Sequence, residues 1–412
     1  MIKRVIVIIL DGVGIGGSKD AKNYGDENAN TLLNVIERTG IKLPNLTNFG
    51  LLNLLYKMNL ETSTSYGILE EESPGKDTTT GHWELMGCKL NKPFPLYPNG
   101  FPDEIIKEFE KRIGKKVLWN KPASGTEIIN RLGEEHMKTG YPIVYTSGDS
   151  VFQIAAHVDI IPLEKLYEMC EIARELLKGE HAVARVIARP FAGEVGRFYR
   201  TPDRKDYSLE PPKDTLLDLM IKNGYKTLGI GKVYDIFAKR GFTKNVHIEN
   251  NTENMAVLLK STIEEKDFSL IFTNLVDFDM NYGHRRDVWG FANALLEFDG
   301  FLGNYLRWLN DDDILIITAD HGNDPTYMKH TDHTRENVPV YFFGKNIKKN
   351  NFIGVKKFSD LGATIGEIFN IKTHDGKSFL KNILIWYNKK CGGERSSTWN
   401  GGLNRQVSLR GL

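Results

Sequence analysis

Three acidic positions stand where buried strands should end, and histidines gather beside two of them. The apolar run "VIVIIL" stops at Asp11, "LIFTNLV" runs into Asp277 and Asp279, and "ILIITA" runs into Asp320, which His321 follows at once. Open parallel sheets bind ligands at the carboxyl ends of their strands, so a polar residue directly after a buried run carries more information than one elsewhere. One such Asp alone would read as a cap for the next helix. Four of the ten histidines, however, fall between residues 284 and 333, in "DMNYGHRRD" and "ADHGNDPTYMKHTDH". Asp279, His284, Asp320, His321 and His333 thus offer oxygen and nitrogen donors from several segments, the way a catalytic metal site is assembled. Such a mixture suits Mn²⁺, Zn²⁺ or Fe²⁺ better than Ca²⁺. With Asp11 there are enough ligands for two ions about 4 Å apart, the spacing used for in-line displacement at phosphorus.

A metal pair of this kind needs a nucleophile. The stretch "GKDTTTGHWE", 75–84, places three threonines in a row. By composition it reads as a turn-forming loop whose hydroxyls bond nearby backbone. A threonine hydroxyl is a poor nucleophile at its free pKa, but metal coordination can deprotonate it for attack on phosphorus. Uncatalysed phosphate-monoester hydrolysis is slow enough that enzymes accelerate it by up to about 10²¹, so weak positioning alone would not suffice. The glycines of "DGVGIGG", 11–17, match a dinucleotide fingerprint poorly, with an acid in front and no ribose-binding acid at the expected distance.

The elements that must position these residues follow from hydrophobic pattern. Continuous apolar runs at 5–10, 143–146, 183–188, 269–276, 314–319 and 340–343 predict strands buried on both faces. Three- and four-residue apolar spacing predicts helices at 103–113, 163–178 and 290–309. The alternation indicates an α/β fold with a mainly parallel sheet flanked by helices. A chain of 412 residues exceeds what one core usually organises. Two proline-rich passages, 91–102 and 201–214, bracket a segment of domain size. The expectation is a catalytic core from 1–93 and 213–390, a smaller α/β cap inserted as 94–212, and a disordered tail at 391–412.

Bulk composition narrows the partners. Lys and Arg number 54 against 53 Asp and Glu, so the +1 balance provides no general field for nucleic acid or an acidic membrane. Cys88, Cys170 and Cys391 lie far apart with no CxxC, which argues against disulfides or a zinc-thiolate site and for a reducing, cytoplasmic setting. No apolar run approaches the roughly 20 residues that span a bilayer. A small-molecule partner is expected.

Together, "LDGVGIG", "GKDTTTGHWE", "NKPASGTEI", "NLVDFDMNYGHRRD" and "TADHGNDP…TDHTRE" closely resemble the phosphopentomutases of the alkaline phosphatase superfamily, from about residue 3 to 385. "VYTSGDSVFQIAAH" and "VIARPF" belong to that family rather than to the superfamily at large. The resemblance implies an alkaline-phosphatase-like core and a binuclear Mn²⁺ site. Asp11, Asp320 and His321 would hold one ion, and Asp279, His284 and His333 the other. It also implies that Thr78 is the phosphorylated nucleophile and that Ser147, Asp149, Arg189, Arg204 and Lys232 bind substrate. The matching enzymes interconvert ribose 1-phosphate and ribose 5-phosphate, and the deoxyribose pair, through a phosphoenzyme primed by a sugar bisphosphate. Two departures stand out: Thr79 replaces a frequent methionine, and His330 is an extra histidine beside His333. A metal-dependent phosphatase of the same fold, a cofactor-independent phosphoglycerate mutase and a noncatalytic sugar-phosphate-binding protein remain as alternatives.

Overall fold

The computed structural model describes residues 2–147 and 150–386. Asp149 and the expected tail therefore lie outside the described residues. Among the described residues fourteen strands form two sheets. The larger has the order β10 (Lys244–Val246), β9 (Thr227–Ile230), β11 (Leu270–Leu275), β1 (Arg4–Leu10), β12 (Asp313–Thr318), β13 (Val338–Phe343), β2 (Ser65–Glu70), β14 (Asn351–Lys357). From β10 to β12 every pairing is parallel. The predicted strand at 340–343 forms as part of β13 and runs antiparallel to both β12 and β2.

β1, β11 and β12 are buried at every residue because helices cover both faces of the sheet, which is why they read as unbroken apolar runs. Their register sets Leu10 opposite Leu275 and Ile9 opposite Thr318. The three carboxyl ends are thus level, and the acids that follow them share one edge. At the opposite end, Arg4 donates to both carboxylate oxygens of Asp313 at 2.9 and 2.6 Å, a buried bidentate pair that ties β1 to β12.

The smaller sheet runs β3 (Leu118–Pro122), β4 (Ile143–Thr146), β5 (Val151–His157), β6 (Arg185–Ala192), β7 (Tyr199–Arg200), with β8 (Lys205–Ser208) also on β6. The helices Asp103–Ile113 and Leu163–Leu176 pack on one face through Phe109, Leu166 and Cys170. Helix Gly125–Thr139 covers the other through Ile128 and Ile129. These apolar clusters are separate from the one that surrounds the larger sheet.

The sequence pattern requires two corrections. The run at 183–188 starts its strand only at Arg185. More consequentially, "TTTGHWEL" is a helix, Thr78–Leu85, and not a loop. Asp77 caps it, accepting from Thr80 N at 3.1 Å and Thr80 Oγ1 at 2.5 Å, so local capping and tertiary packing override weak threonine propensity.

Candidate active site

Thr78 occupies the first turn of that capped helix, with Oγ1 3.1 Å from His321 Nε2. The helix rests directly on the segment after β12. A Cβ added to Gly81 would stand 2.1 Å from the Asp320 carbonyl oxygen, so only glycine permits the approach. Further along, Trp83 is fully buried and donates from Nε1 to Ile236 O at 3.0 Å.

Opposite Thr78 the strand-end acids and the histidines converge. His284 Nε2 lies 3.2 Å from Asp279 Oδ2, and His333 Nε2 lies 3.3 Å from Asp279 Oδ1. A wide π-helical turn, Phe278–Gly283, brings Asp279 and His284 to the same point, a use to which such turns are often put. His321 Nε2 is 3.3 Å from both Asp11 Oδ1 and Asp320 Oδ2. Among the described residues two sets of donors each gather within 4.8 Å: Asp279, His284 and His333, and Asp11, Asp279 and His321. Asp279 therefore faces both sets, while Asp320 Oδ2 lies between His321 and His82 Nδ1, which is 3.1 Å away.

Electrostatics favour positive charge here. Burial pushes the Asp11 carboxyl up, and Asp320 and Asp279 push it further. Burial would also raise Asp279, but His333 and His284 hold it well below the usual carboxylate range. Burial would lower His284 and His321; carboxylates reverse this, taking His284 to about 9 through Asp279 and His321 well above its ordinary value through Asp320 and Asp11. Asp11 Oδ1 and Asp320 Oδ2 are buried and accept no hydrogen bond, a costly arrangement for carboxylates. Mixed carboxylate and imidazole donors with orphaned buried oxygens fit divalent cations.

Several residues that pattern reading passed over orient these groups. Asn274 Nδ2 donates to Asp11 Oδ2 at 2.8 Å, Asn323 Nδ2 to Asp279 Oδ1 at 2.6 Å, and Gly12 N to Asp320 Oδ1 at 3.2 Å. His284 Nδ1 donates to Thr331 O at 2.7 Å, which leaves Nε2 facing Asp279. Buried Arg335 donates to Ser73 O at 2.9 Å, Gly75 O at 2.5 Å and both oxygens of Asp20 at 3.0 Å. It ties the approach to Thr78 to the segment that carries His333. His330 turns away, 2.7 Å from Asp26 Oδ1, so His333 is the histidine at the site.

A cleft of about 820 Å³ opens over this cluster, lined by Thr78, Asp11, Asp279, His284 and His333 and also by Arg189, Arg204 and Lys232. Arg189 Nε donates to Gln153 Oε1 at 3.0 Å, Arg204 grips Asp206 with two bonds of 2.6 Å, and Lys232 Nζ lies 3.1 Å from Met280 Sδ. Ser147 directly follows β4, half-buried, and is not among the residues lining the cleft.

A sheet with acids and histidines at its carboxyl edge fits the metalloenzyme superfamily, whose family model matches residues 3–373. A phosphopentomutase of Caldanaerobacter subterraneus subsp. tengcongensis is 55% identical over 391 residues, 93% of this chain and 99% of that protein. One from Dictyoglomus turgidum is 56% identical over 388 residues, 92% of this chain and 98% of its own length. A third, from Carboxydothermus hydrogenoformans, is 55% identical over 388 residues, 92% and 99% respectively. The chain belongs to the phosphopentomutase family. It is accordingly a mutase, an isomerase on the mainly parallel α/β core of the metalloenzyme superfamily. Among the described residues no helix is long and apolar enough to cross a membrane.

Proposed function

We propose that this enzyme interconverts ribose 1-phosphate and ribose 5-phosphate, and the 2-deoxyribose pair, by way of a phosphorylated Thr78 and a sugar bisphosphate. The observation that carries this reading is the placement of Thr78 Oγ1, 3.1 Å from His321 Nε2 and on the same cleft as the donor cluster. In this reading Asp11, Asp320 and His321 hold one divalent cation and Asp279, His284 and His333 a second, both Mn²⁺. When bound, the pair supplies Lewis-acid charge that eases loss of the Thr78 proton and neutralises a phosphoryl group.

The chain's own residues supply position. Asp77 fixes the helix that presents Thr78. The Thr78 oxygen takes a phosphoryl group from the bisphosphate primer as the P–O bond to the sugar breaks. Phospho-Thr78 then gives its group to the free hydroxyl of an incoming monophosphate, and the resulting bisphosphate returns its other phosphate to Thr78. Arg189, Arg204 and Lys232, which line the cleft, grip the sugar phosphate, Arg in the bidentate manner suited to phosphate, with Ser147 and Asp149 assigned to the sugar by the resemblance alone.

Residues 94–212 act as a cap on the core formed by 1–93 and 213–390. Their sheet and apolar clusters are their own, and Arg189 and Arg204 share the cleft with Thr78. Closure excludes water, which is what separates transfer to a retained sugar from hydrolysis. A cytoplasmic setting and a small-molecule pentose phosphate partner suit this chemistry.

The test supplies Mn²⁺-loaded protein with ribose 1,5-bisphosphate as primer and ribose 1-phosphate as substrate, and follows ribose 5-phosphate and free phosphate together. Ribose 5-phosphate in large excess is the expected result. Dominant free phosphate would make the protein a phosphatase, and neither product would make it a noncatalytic binder.

A further inference from the structure

Glu336 stands behind the acid–histidine cluster. It is 2% exposed and is not among the residues lining the cleft, so its side chain has no route to a substrate. Its carboxylate is instead the meeting point of three segments, each of which follows a proposed cation ligand. Oε2 accepts from Gly16 N at 2.9 Å, on the loop after Asp11. Oε1 accepts at 2.6 Å from the Oγ1 of Thr334, the residue after His333. A Cβ built on Gly322, next to His321, would stand 2.4 Å from Oε1, and one built on Gly14 would stand 2.4 Å from Oε2. The first residue of helix Thr31–Thr39 completes the set, donating from N to Oε2 at 2.9 Å and from Oγ1 to Oε1 at 2.7 Å.

A carboxylate has about four acceptor positions, and here all are used. Backbone bonds pair the same segments two at a time: Gly322 and Thr334 exchange N–H to O bonds of 3.2 and 2.7 Å, and Asn337 N donates to Gly16 O at 2.8 Å. The Glu336 side chain meets all three segments at once. Their ligands also meet across the site. His321 Nε2 is 3.3 Å from Asp11 Oδ1, and the His321 and His333 rings have centroids 4.1 Å apart. Such constellations work only when held within about 0.5 Å of the productive geometry. Burial, then Asp324, raises the Glu336 pKa to about 7, while the bonds from Thr334, Gly16 and Thr31 oppose this. The group therefore contributes directed hydrogen bonds more than a fixed charge.

We propose that Glu336 is a positioning residue: by joining the segments that carry Asp11, His321 and His333, it sets the spacing between the two divalent-cation sites. This role rests on the reading that those residues hold cations, and it adds the group that keeps the two sites in register. Without the carboxylate, the Gly16 and Thr31 N–H groups would be buried with no acceptor, and the three segments would be free to drift apart.

The test titrates Mn²⁺ into the chelator-treated full chain, by calorimetry and by electron paramagnetic resonance, whose exchange-coupled signal depends on the distance between the ions. Thermal melts without metal establish that each variant is folded. Glu336→Ala should bind Mn²⁺ about tenfold or more weakly, as loss of a ligand-orienting group does, and should lose the coupled signal. Its kcat should fall while KM for ribose 1-phosphate stays at the wild-type value. Glu336→Gln retains an oxygen for the two N–H groups and an amide for the two hydroxyls, so it should restore most of the affinity and the coupled signal. Wild-type Mn²⁺ binding in the Ala variant, or equal losses in Ala and Gln, would overturn the proposal. If the Ala variant does not fold, Thr334→Val decides, since it removes only the side-chain bond to the His333 segment. Severalfold weaker Mn²⁺ binding is expected there, and wild-type affinity would overturn the proposal. A wild-type chain that binds no Mn²⁺ would instead sink the cation reading, and the spacing role with it.

Discussion

Thr78 and Asp320 are held by one imidazole. His82 Nδ1 lies 2.8 Å from Thr78 O and 3.1 Å from Asp320 Oδ2, while the ring is wholly buried and edge-on to Phe272 and Phe237. Nδ1 donates to the Thr78 carbonyl and stands beside Asp320, a proposed metal ligand. Groups that orient ligands in this way commonly change metal affinity or activity by about 10–100-fold when removed. His82→Asn keeps a donor near the Nδ1 position, whereas His82→Gln carries it toward Nε2. The expectation is that the Gln variant loses at least about tenfold in both kcat and Mn²⁺ affinity, and that the Asn variant recovers much of both. Equal losses in the two variants, with matched melting temperatures, would reduce His82 to a packing role. Sequence reading reached the six proposed ligands because each acid or histidine follows a strand or repeats within a short segment. It passed over His82, Asn274 and Asn323 because their roles depend on partners contributed by other strands and loops.

At the scale of elements, legibility followed burial. β1, β11 and β12 are enclosed on both faces, so their unbroken apolar runs announced them. β14 carries Phe352 and Val355 half in solvent and a register shift between them, so "NFIGVKK" shows neither a continuous nor an alternating pattern. The Thr78 helix was illegible for a different reason: its turn depends on the Asp77 cap and on Gly81 meeting Asp320 O. Helix Gly125–Thr139 contributes a pH effect. His136 Nδ1 donates to Tyr141 O at 2.7 Å and Nε2 accepts from His157 N at 2.9 Å, so the ring must be neutral. Burial, assisted by His157 and Lys115, lowers its pKa from 6.5, with the Tyr141 carbonyl opposing. The unfolded chain then binds this proton more readily than the fold does, and stability falls as pH drops below about 6.5. Above that pH the contribution is flat. In thermal melts between about pH 5 and 8, His136→Gln should be less stable than wild type throughout and lose this part of the acid slope. An unchanged slope would assign it to other groups.

At the scale of the molecule, two sheets with separate cores meet over one cleft, and the chain crosses between them twice, before Phe101 and after Ser208. The core brings Thr78 and the acid–histidine cluster to a single edge; the smaller sheet brings Arg189, Arg200 and Arg204 to face them. On the proposed mechanism this division would let a hydroxyl nucleophile serve transfer rather than hydrolysis, one body holding the phosphoryl group while the other retains the sugar. All of it turns on Thr78 carrying the phosphate. The most direct measurement is peptide mass spectrometry of the Mn²⁺-loaded protein quenched after incubation with ribose 1,5-bisphosphate, with the phosphorylated site mapped by fragmentation. The account predicts one phosphate on Thr78 and its absence from Thr79 and Thr80. Phosphate on either neighbour, or full turnover with no phosphopeptide at any time, would contradict it.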